Sequence, residues 1–188
     1  PVLILSDGAI GQMMEKVLFQ PCKIPDLDKS SWATTGKPKT RERNYITSLF
    51  IQPEKMEAHN LKLEEKFRQI RENEVRFEET ATEDAEYLFV AYGLSARICQ
   101  KAMEILRGKG VKAGMLRPVT LYPYPYQRIN ELADRMNLVL TVELNAGQMV
   151  EDVRLAVNGK IPVEFFGKLG GLMPTPESIV HHLETLIQ

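Results

Sequence analysis

From Glu86 onward, short apolar runs alternate with helical stretches, and glycine or proline marks nearly every junction. Residues 87–92 read as a strand ended by Gly93, and Ser95 is placed to cap a helix running to residue 107, stopped by Gly108 and Gly110. Residues 111–116 predict a second strand, followed by the turn-rich Leu121-Tyr122-Pro123-Tyr124-Pro125. Residues 126–136 predict a helix, 138–144 a third strand, 147–158 a helix ended by Gly159, and 163–166 a short fourth strand before Gly170-Gly171. Thr175-Pro176-Glu177 opens a last helix with proline at its first position. Strands alternating with helices of this length predict βαβ units. The expected fold class is therefore α/β: a three-layer, mostly parallel open sheet with helices on both faces, formed by residues 84–188.

The first part of the chain reads differently. Residues 2–5 predict a buried strand bounded by Ser6-Asp7-Gly8, and residues 13–18 a short helical stretch that Pro21 and Pro25 end. One strand and half a helix cannot bury their own apolar faces. They call for a sheet whose other strands lie upstream, and the absence of an initiator Met fits a chain trimmed from a longer one. Residues 26–43 are a polar loop containing Trp32, Gly36 and Pro38, and residues 44–51 alternate loosely enough for a strand. Pro53 opens a long helical pattern running to about residue 75, with a partial apolar stripe of Met56, Leu61, Leu63, Phe67 and Ile70. The expected organisation is thus 1–20 as the remnant of an upstream domain, 21–83 as a linker with a long helix, and 84–188 as a compact domain.

Composition excludes several classes. The net charge of −1 supplies no field to draw in nucleic acid or an anionic membrane. No apolar run approaches the roughly 20 residues of a membrane span, and the apolar start is too short for a secretory signal. The two cysteines, Cys22 and Cys99, form no Cys-x-x-Cys pair, so a disulfide framework is not expected and a reducing cytoplasm fits best. An iron–sulfur cluster normally requires roughly four cysteine ligands. Any such cluster would belong to another chain or another part of this one.

Three segments bear on chemistry. Gly93-Leu94-Ser95-Ala96-Arg97 follows a strand and opens a helix, so its backbone N–H groups could hold an anion. It lacks the further glycines of G-x-G-x-x-G and a P-loop lysine, and a tight turn is the plainer reading. Glu143-Leu144-Asn145-Ala146-Gly147-Gln148 sits at the carboxyl end of a strand, where open α/β sheets bind ligands. Glu143, Asn145 and Gln148 can either cap a loop by hydrogen bonds or meet a partner chain or cofactor edge, and the sequence leaves both open. Lys37, Lys39, Arg41 and Arg43 form a basic loop, read mainly as solvated, with an anionic partner as the alternative. His59, His181 and His182 show no metal-ligand spacing, and the adjacent pair 181–182 reads as a surface pair. Cys99 reads as a core thiol, while Cys22 beside Lys23 has a more reactive setting.

Taken in order, several motifs resemble one family. Asp7-Gly8-x-x-Gly11-Gln12-Met13 after an apolar run is similar to the end of the thiamine-pyrimidine domain in alpha subunits of 2-oxoacid:ferredoxin oxidoreductases. Trp32-Ala33-x-Thr35-Gly36, Arg41-x-Arg43-Asn44 and Glu57-Ala58-His59-Asn60-Leu61 resemble the linker of the branched-chain, 2-oxoisovalerate type. Glu143-x-Asn145-x-Gly147-Gln148-Met149 resembles a hallmark of the next domain, similar to the carboxy-terminal domain of transketolase.

The resemblance implies oxidative decarboxylation of a 2-oxoacid on thiamine diphosphate, with acyl-coenzyme A formed and electrons passed through iron–sulfur clusters to ferredoxin. It implies that magnesium and the diphosphate are held by the beta subunit. The carboxylate that activates the pyrimidine is expected upstream of this chain. No catalytic, cofactor-binding or metal residue is therefore assigned. Asp7-Gly8 also lacks the preceding glycine of the diphosphate motif, since position 6 is Ser, and no Asn-Asn follows near Trp32–Gly36. Asp7, Gly8 and Gln12, with Glu143, Asn145 and Gln148, are left as interface or polar-loop contacts. Implied partners are the beta and gamma subunits, a ferredoxin-like delta subunit, ferredoxin itself for the whole enzyme, and a second copy in a homodimer. Two other readings stand beside this one: another transketolase-like fragment, such as a 2-oxoacid dehydrogenase beta chain, and a free-standing α/β interaction module.

Overall fold

A computed structural model describes residues 2–21, 25–37 and 39–187. The chain divides into two compact units. One joins the residues up to Met13 to those from Phe67 onward, and the other is Met14–Lys66.

The first unit is built on a five-stranded sheet in the order β1-β3-β2-β4-β5. The strands are β1 (Phe77–Thr80), β2 (Tyr87–Val90), β3 (Ala113–Pro118), β4 (Leu138–Glu143) and β5 (Val163–Gly167). β2, β3, β4 and β5 run parallel, with Tyr87 opposite both Ala113 and Leu138, and Val139 opposite Val163. β1 pairs antiparallel with β3, Phe77 opposite Pro118. The helices are α1 (Pro53–Asn73), α2 (Gly93–Gly108), α3 (Tyr126–Ala133), α4 (Met149–Val157) and α5 (Pro176–Leu186).

β4 reads Leu-Val-Leu-Thr-Val-Glu and is buried at every position, as a central strand covered on both faces must be. Successive side chains alternate between two cores. Phe89, Leu140 and Val142 pack with Cys99, Met103 and Leu106 of α2 and with Ile179 and Leu183 of α5. Leu88, Val90 and Val139 pack with Ile129 and Leu132 of α3 and with Val153 and Val157 of α4. Each fully buried Leu or Phe contributes roughly 1.5–3 kcal/mol. α5 starts as its sequence predicts: Thr175 accepts from the Ser178 N–H at 3.2 Å, the Ser178 hydroxyl accepts from the Thr175 N–H at 3.1 Å, and Pro176 follows the cap.

The α/β class, the mostly parallel sheet and the helices on both faces stand as expected. Several local expectations do not. Residues 2–5 form no strand and are exposed, because no neighbouring strand among the described residues offers them a ladder. In place of the helical stretch expected at 13–18 there is one 3-10 turn, Ile10–Gln12, and no regular element over 13–18. Residues 44–51 are likewise not a strand. The sheet begins at Phe77, ahead of residue 84, because β1 lies in what reads as linker. Ser95 is not a cap but a buried residue in the first turn of α2, whose N-cap is Tyr92. The helix at 126 ends at Ala133, and that at 147 starts at Met149.

In the unit Met14–Lys66, Asn44 organises the turn around Trp32. Its side-chain amide donates to the carbonyls of Ser30 at 3.0 Å and Ala33 at 2.9 Å. The ring of His59 stacks on Phe50, with centroids 4.6 Å apart.

Candidate functional site

The strand order fixes where a site would be expected. The chain leaves β2 toward β3 and leaves β4 toward β5 on the opposite side, so the direction of winding switches between β2 and β4. Ligands of open α/β sheets sit beyond the carboxyl ends of the strands at such a switch. Two loops flank it here: Ala91–Tyr92 ahead of α2, and Leu144–Gln148 ahead of α4. Each delivers a helix N-terminus whose first N–H groups have no partner within the helix.

At α4 those groups are met by Glu143. Only 2% of this residue is exposed. Its carboxylate accepts from the backbone N–H of Met149 at 2.9 Å and of Val150 at 2.9 Å. It also accepts from Gln148 N–H at 3.3 Å and from the Asn145 side-chain amide at 3.1 Å. Asn145 in turn accepts from Gly147 N–H at 2.7 Å. Gly147 holds a φ of +104°, a region that favours glycine, so the loop can turn back over the strand end. A buried charge requires such partners, and the positive end of the helix dipole adds to them. Gln148 serves through its backbone and leaves its side chain exposed. These hydrogen bonds make the loop a polar cap on α4.

At α2 the carboxylate comes from the other end of the chain. Asp7 accepts from Leu94 N–H at 3.3 Å and from Ile10 N–H at 2.8 Å, and its carbonyl accepts from Gly11 N–H at 3.0 Å. Its Oδ2 lies 3.3 Å from where a β-carbon on Gly93 would sit. The anion position read from Gly93-Leu94 is therefore filled by the chain's own side chain. Gly8 is exposed with open space about it, and Gln12 closes the 3-10 turn, exposed, through its N–H to Ala9. The structure thus brings Asp7 to one lip of the switch and Glu143, Asn145 and Gln148 to the other.

A tyrosine cluster stands near Glu143. Tyr124 is buried and its hydroxyl has no hydrogen-bond partner among the described residues. Burial, then the charges of Asp152 and Glu143, push its ionisation well above the usual phenol range. Tyr126 packs edge-on against it, centroids 5.1 Å apart, and donates its hydroxyl to Asp152. That bond, ahead of burial, pushes Tyr126 up to about 12. A concavity of about 740 Å³ is lined by Arg71, Phe77, Tyr122, Tyr126 and Arg128 among others. Arg128 is engaged there by Glu79 at 2.5 Å and Glu131 at 3.0 Å. Sequence reasoning did not single out these tyrosines; only the repeated Tyr-Pro pairs signalled them.

Other sequence-based expectations resolve as follows. Cys99 is fully buried, and burial alone pushes its thiol far up, which leaves it un-ionised and inert. Cys22 and Lys23 lie outside the described residues. His182 is half-buried rather than exposed: its ring packs on Phe166 with centroids 5.0 Å apart and its Nε2 is buried. Successive residues of α5 face different ways, so of the adjacent pair His181 is the exposed one. In the basic loop, Lys37 pairs with Glu42 at 3.3 Å, and Arg41 donates to the carbonyls of Gly36 and Glu42. Among the described residues, no group of three or more His, Cys, Asp or Glu could hold a metal ion. With two cysteines in the sequence, one of them sealed in the core, the residues present do not fit an iron–sulfur cluster. No helix among the described residues is long and apolar enough to cross a membrane.

Comparison with known proteins bears on these features. The ketoisovalerate oxidoreductase subunit VorB of Methanothermobacter thermautotrophicus is 42% identical over 171 residues, covering 91% of this chain and 48% of that protein. The 2-oxoglutarate synthase subunit KorA of Archaeoglobus fulgidus is 31% identical over 190 residues, covering 98% of this chain and 52% of the other. The chain thus spans about half the length of the curated relatives it matches. A solved structure, the 2-oxoglutarate:ferredoxin oxidoreductase from Magnetococcus marinus with 2-oxoglutarate, coenzyme A and succinyl-CoA bound, shares the fold. Its TM-score is 0.65 at 24% identity, over 74% of this chain and 24% of that one. Residues 85–179, which hold β2 to β5 and both lips of the switch, match the family of pyruvate:ferredoxin oxidoreductase core domain II, and the chain belongs to that family.

Proposed function

We propose that this chain supplies the carboxy-terminal, non-catalytic part of the alpha subunit of a thiamine-diphosphate-dependent 2-oxoacid:ferredoxin oxidoreductase acting on branched-chain 2-oxoacids. The observation that carries the reading is the 42% identity to a ketoisovalerate oxidoreductase subunit across 91% of the chain. The lower identity to a 2-oxoglutarate synthase subunit, 31%, favours the branched-chain substrate over 2-oxoglutarate. The whole enzyme would decarboxylate the 2-oxoacid oxidatively, form an acyl-coenzyme A and reduce ferredoxin. Thiamine diphosphate would supply the carbanion chemistry when bound.

In this reading the cofactors lie in other parts of the complex, and the chain's own residues have structural work. Glu143 and Asp7 neutralise the two helix N-termini at the switch point from within, so neither position is available for a phosphate. That self-sufficiency supports an assembly role. The partners would be beta, gamma and ferredoxin-like delta subunits.

The test is reconstitution. The complete subunit, co-expressed with the products of adjacent genes, should reduce viologen with thiamine diphosphate and coenzyme A, fastest with 2-oxoisovalerate. Absence of activity with every 2-oxoacid from an assembled complex overturns the reading, and a preference for 2-oxoglutarate overturns the substrate. Titration calorimetry of this chain with thiamine diphosphate and magnesium should give no binding heat; micromolar affinity would contradict the non-catalytic assignment.

A further inference from the structure

The sheet has two edges, β1 and β5, and they are guarded unequally. β1 reads Phe-Glu-Glu-Thr, and both glutamates are engaged: Glu78 with Arg117 at 2.6 Å, Glu79 with Arg128 at 2.5 Å. Charged side chains on a short edge strand discourage further pairing. β5 reads Val-Glu-Phe-Phe-Gly, pairs within the sheet only with β4, and continues into Lys168 and the exposed Leu169. The Lys168 N–H donates to the Glu143 carbonyl at 3.2 Å, so the ladder runs one residue beyond the strand. The outer edge from residue 163 to 169 thus offers a row of backbone groups whose two charged side chains, Glu164 and Lys168, are not engaged by neighbours in the sheet.

The side chains of this edge are complementary to themselves. Among the described residues neither Glu164 nor Lys168 makes an ion pair; the Lys168 ammonium stands 5.7 Å from the Phe166 ring centroid. In an antiparallel pair of identical strands centred on Phe166, Glu164 falls opposite Lys168 of the other copy, twice by symmetry. Phe165 falls opposite Gly167, over which the Phe165 ring of the same strand lies, so the two Phe165 rings meet across the axis, and Val163 falls opposite Leu169. Centring on Phe165 instead would place Glu164 against Phe166 and leave both charges unmatched.

We propose that β5 pairs antiparallel with β5 of a second copy of this chain about a two-fold axis at Phe166, joining the two sheets edge to edge. The pairing is independent of the reaction that the assembled enzyme performs. The test uses the full chain with Cys22→Ser. Directly opposed residues have Cα atoms about 5 Å apart, within reach of a disulfide. The Glu164→Cys, Lys168→Cys double variant should form a covalent dimer on mild oxidation, and neither single variant should. Charge reversal gives a second readout by sedimentation equilibrium. Glu164→Lys and Lys168→Glu should each weaken self-association about tenfold, because both symmetric pairs become repulsive together. The combined reversal should restore it. A monomer at all concentrations, a single-cysteine dimer as abundant as the double, or a combined reversal as weak as the single ones overturns the proposal. So does a cross-link that forms only with a co-expressed different subunit, which would assign the edge to that partner.

Discussion

Residues 14–66 and the sheet from Phe77 onward are both rich in apolar side chains, yet they use them in opposite ways. Leu18, Phe19, Trp32, Leu49 and Ile51 are exposed, and none of the described residues from 14 to 66 is buried. Leu88, Phe89, Val139 and Leu140 are at most 1% exposed. Apolar content therefore does not make a core. In the sheet, each apolar strand face meets an apolar helix stripe of matching period from the same chain. In 14–66 the apolar residues lie on segments without regular structure and on one helix with no buried residue. The difference lies in whether the chain supplies both surfaces of each contact.

That contrast can be broken or sharpened by substitution, with stability read from urea unfolding by far-UV circular dichroism. The largest effect is expected at Glu143→Ala, which strips the partners from several buried N–H groups at once and should cost roughly 3 kcal/mol or more. Gly167→Ala should cost roughly 1–3 kcal/mol by overpacking, since a β-carbon there would sit 2.5 Å from the Asn145 carbonyl oxygen and the Phe165 ring. Asp7→Ala removes a cap shared by the 3-10 turn and α2 and should cost about 1 kcal/mol, with faster hydrogen exchange at Ile10 and Leu94. Leu49→Ser should change stability by no more than about 0.5 kcal/mol. A loss at Leu49 comparable to that at Gly167 would erase the contrast, and a silent Glu143→Ala would show that the loop can re-form its bonds another way.

What the sequence made legible follows the same division. The elements from β2 to α5 were readable because period and punctuation agree with burial. β1 was missed because Glu78 and Glu79 make it look like linker; an edge strand carries its charges for reasons that only its neighbours explain. The apolar run 2–5 forms no strand here, because a strand is a property of a pair and local composition cannot supply the partner. At the site, the polar loop Glu143–Gln148 was found from its position after a strand, whereas its inward-facing geometry was not. The meeting of Asp7 with Leu94, across most of the chain, has no local signal at all.

Cys99 has a practical consequence. Its thiol sits at zero exposure between α2 and the sheet, and burial keeps it protonated. An alkylating reagent reacts with the thiolate, so it can reach this sulfur only in molecules whose helical layer has lifted away. With Cys22 replaced, the speed of labelling becomes a stopwatch for that rare opening, read by mass spectrometry in native buffer with no denaturant added.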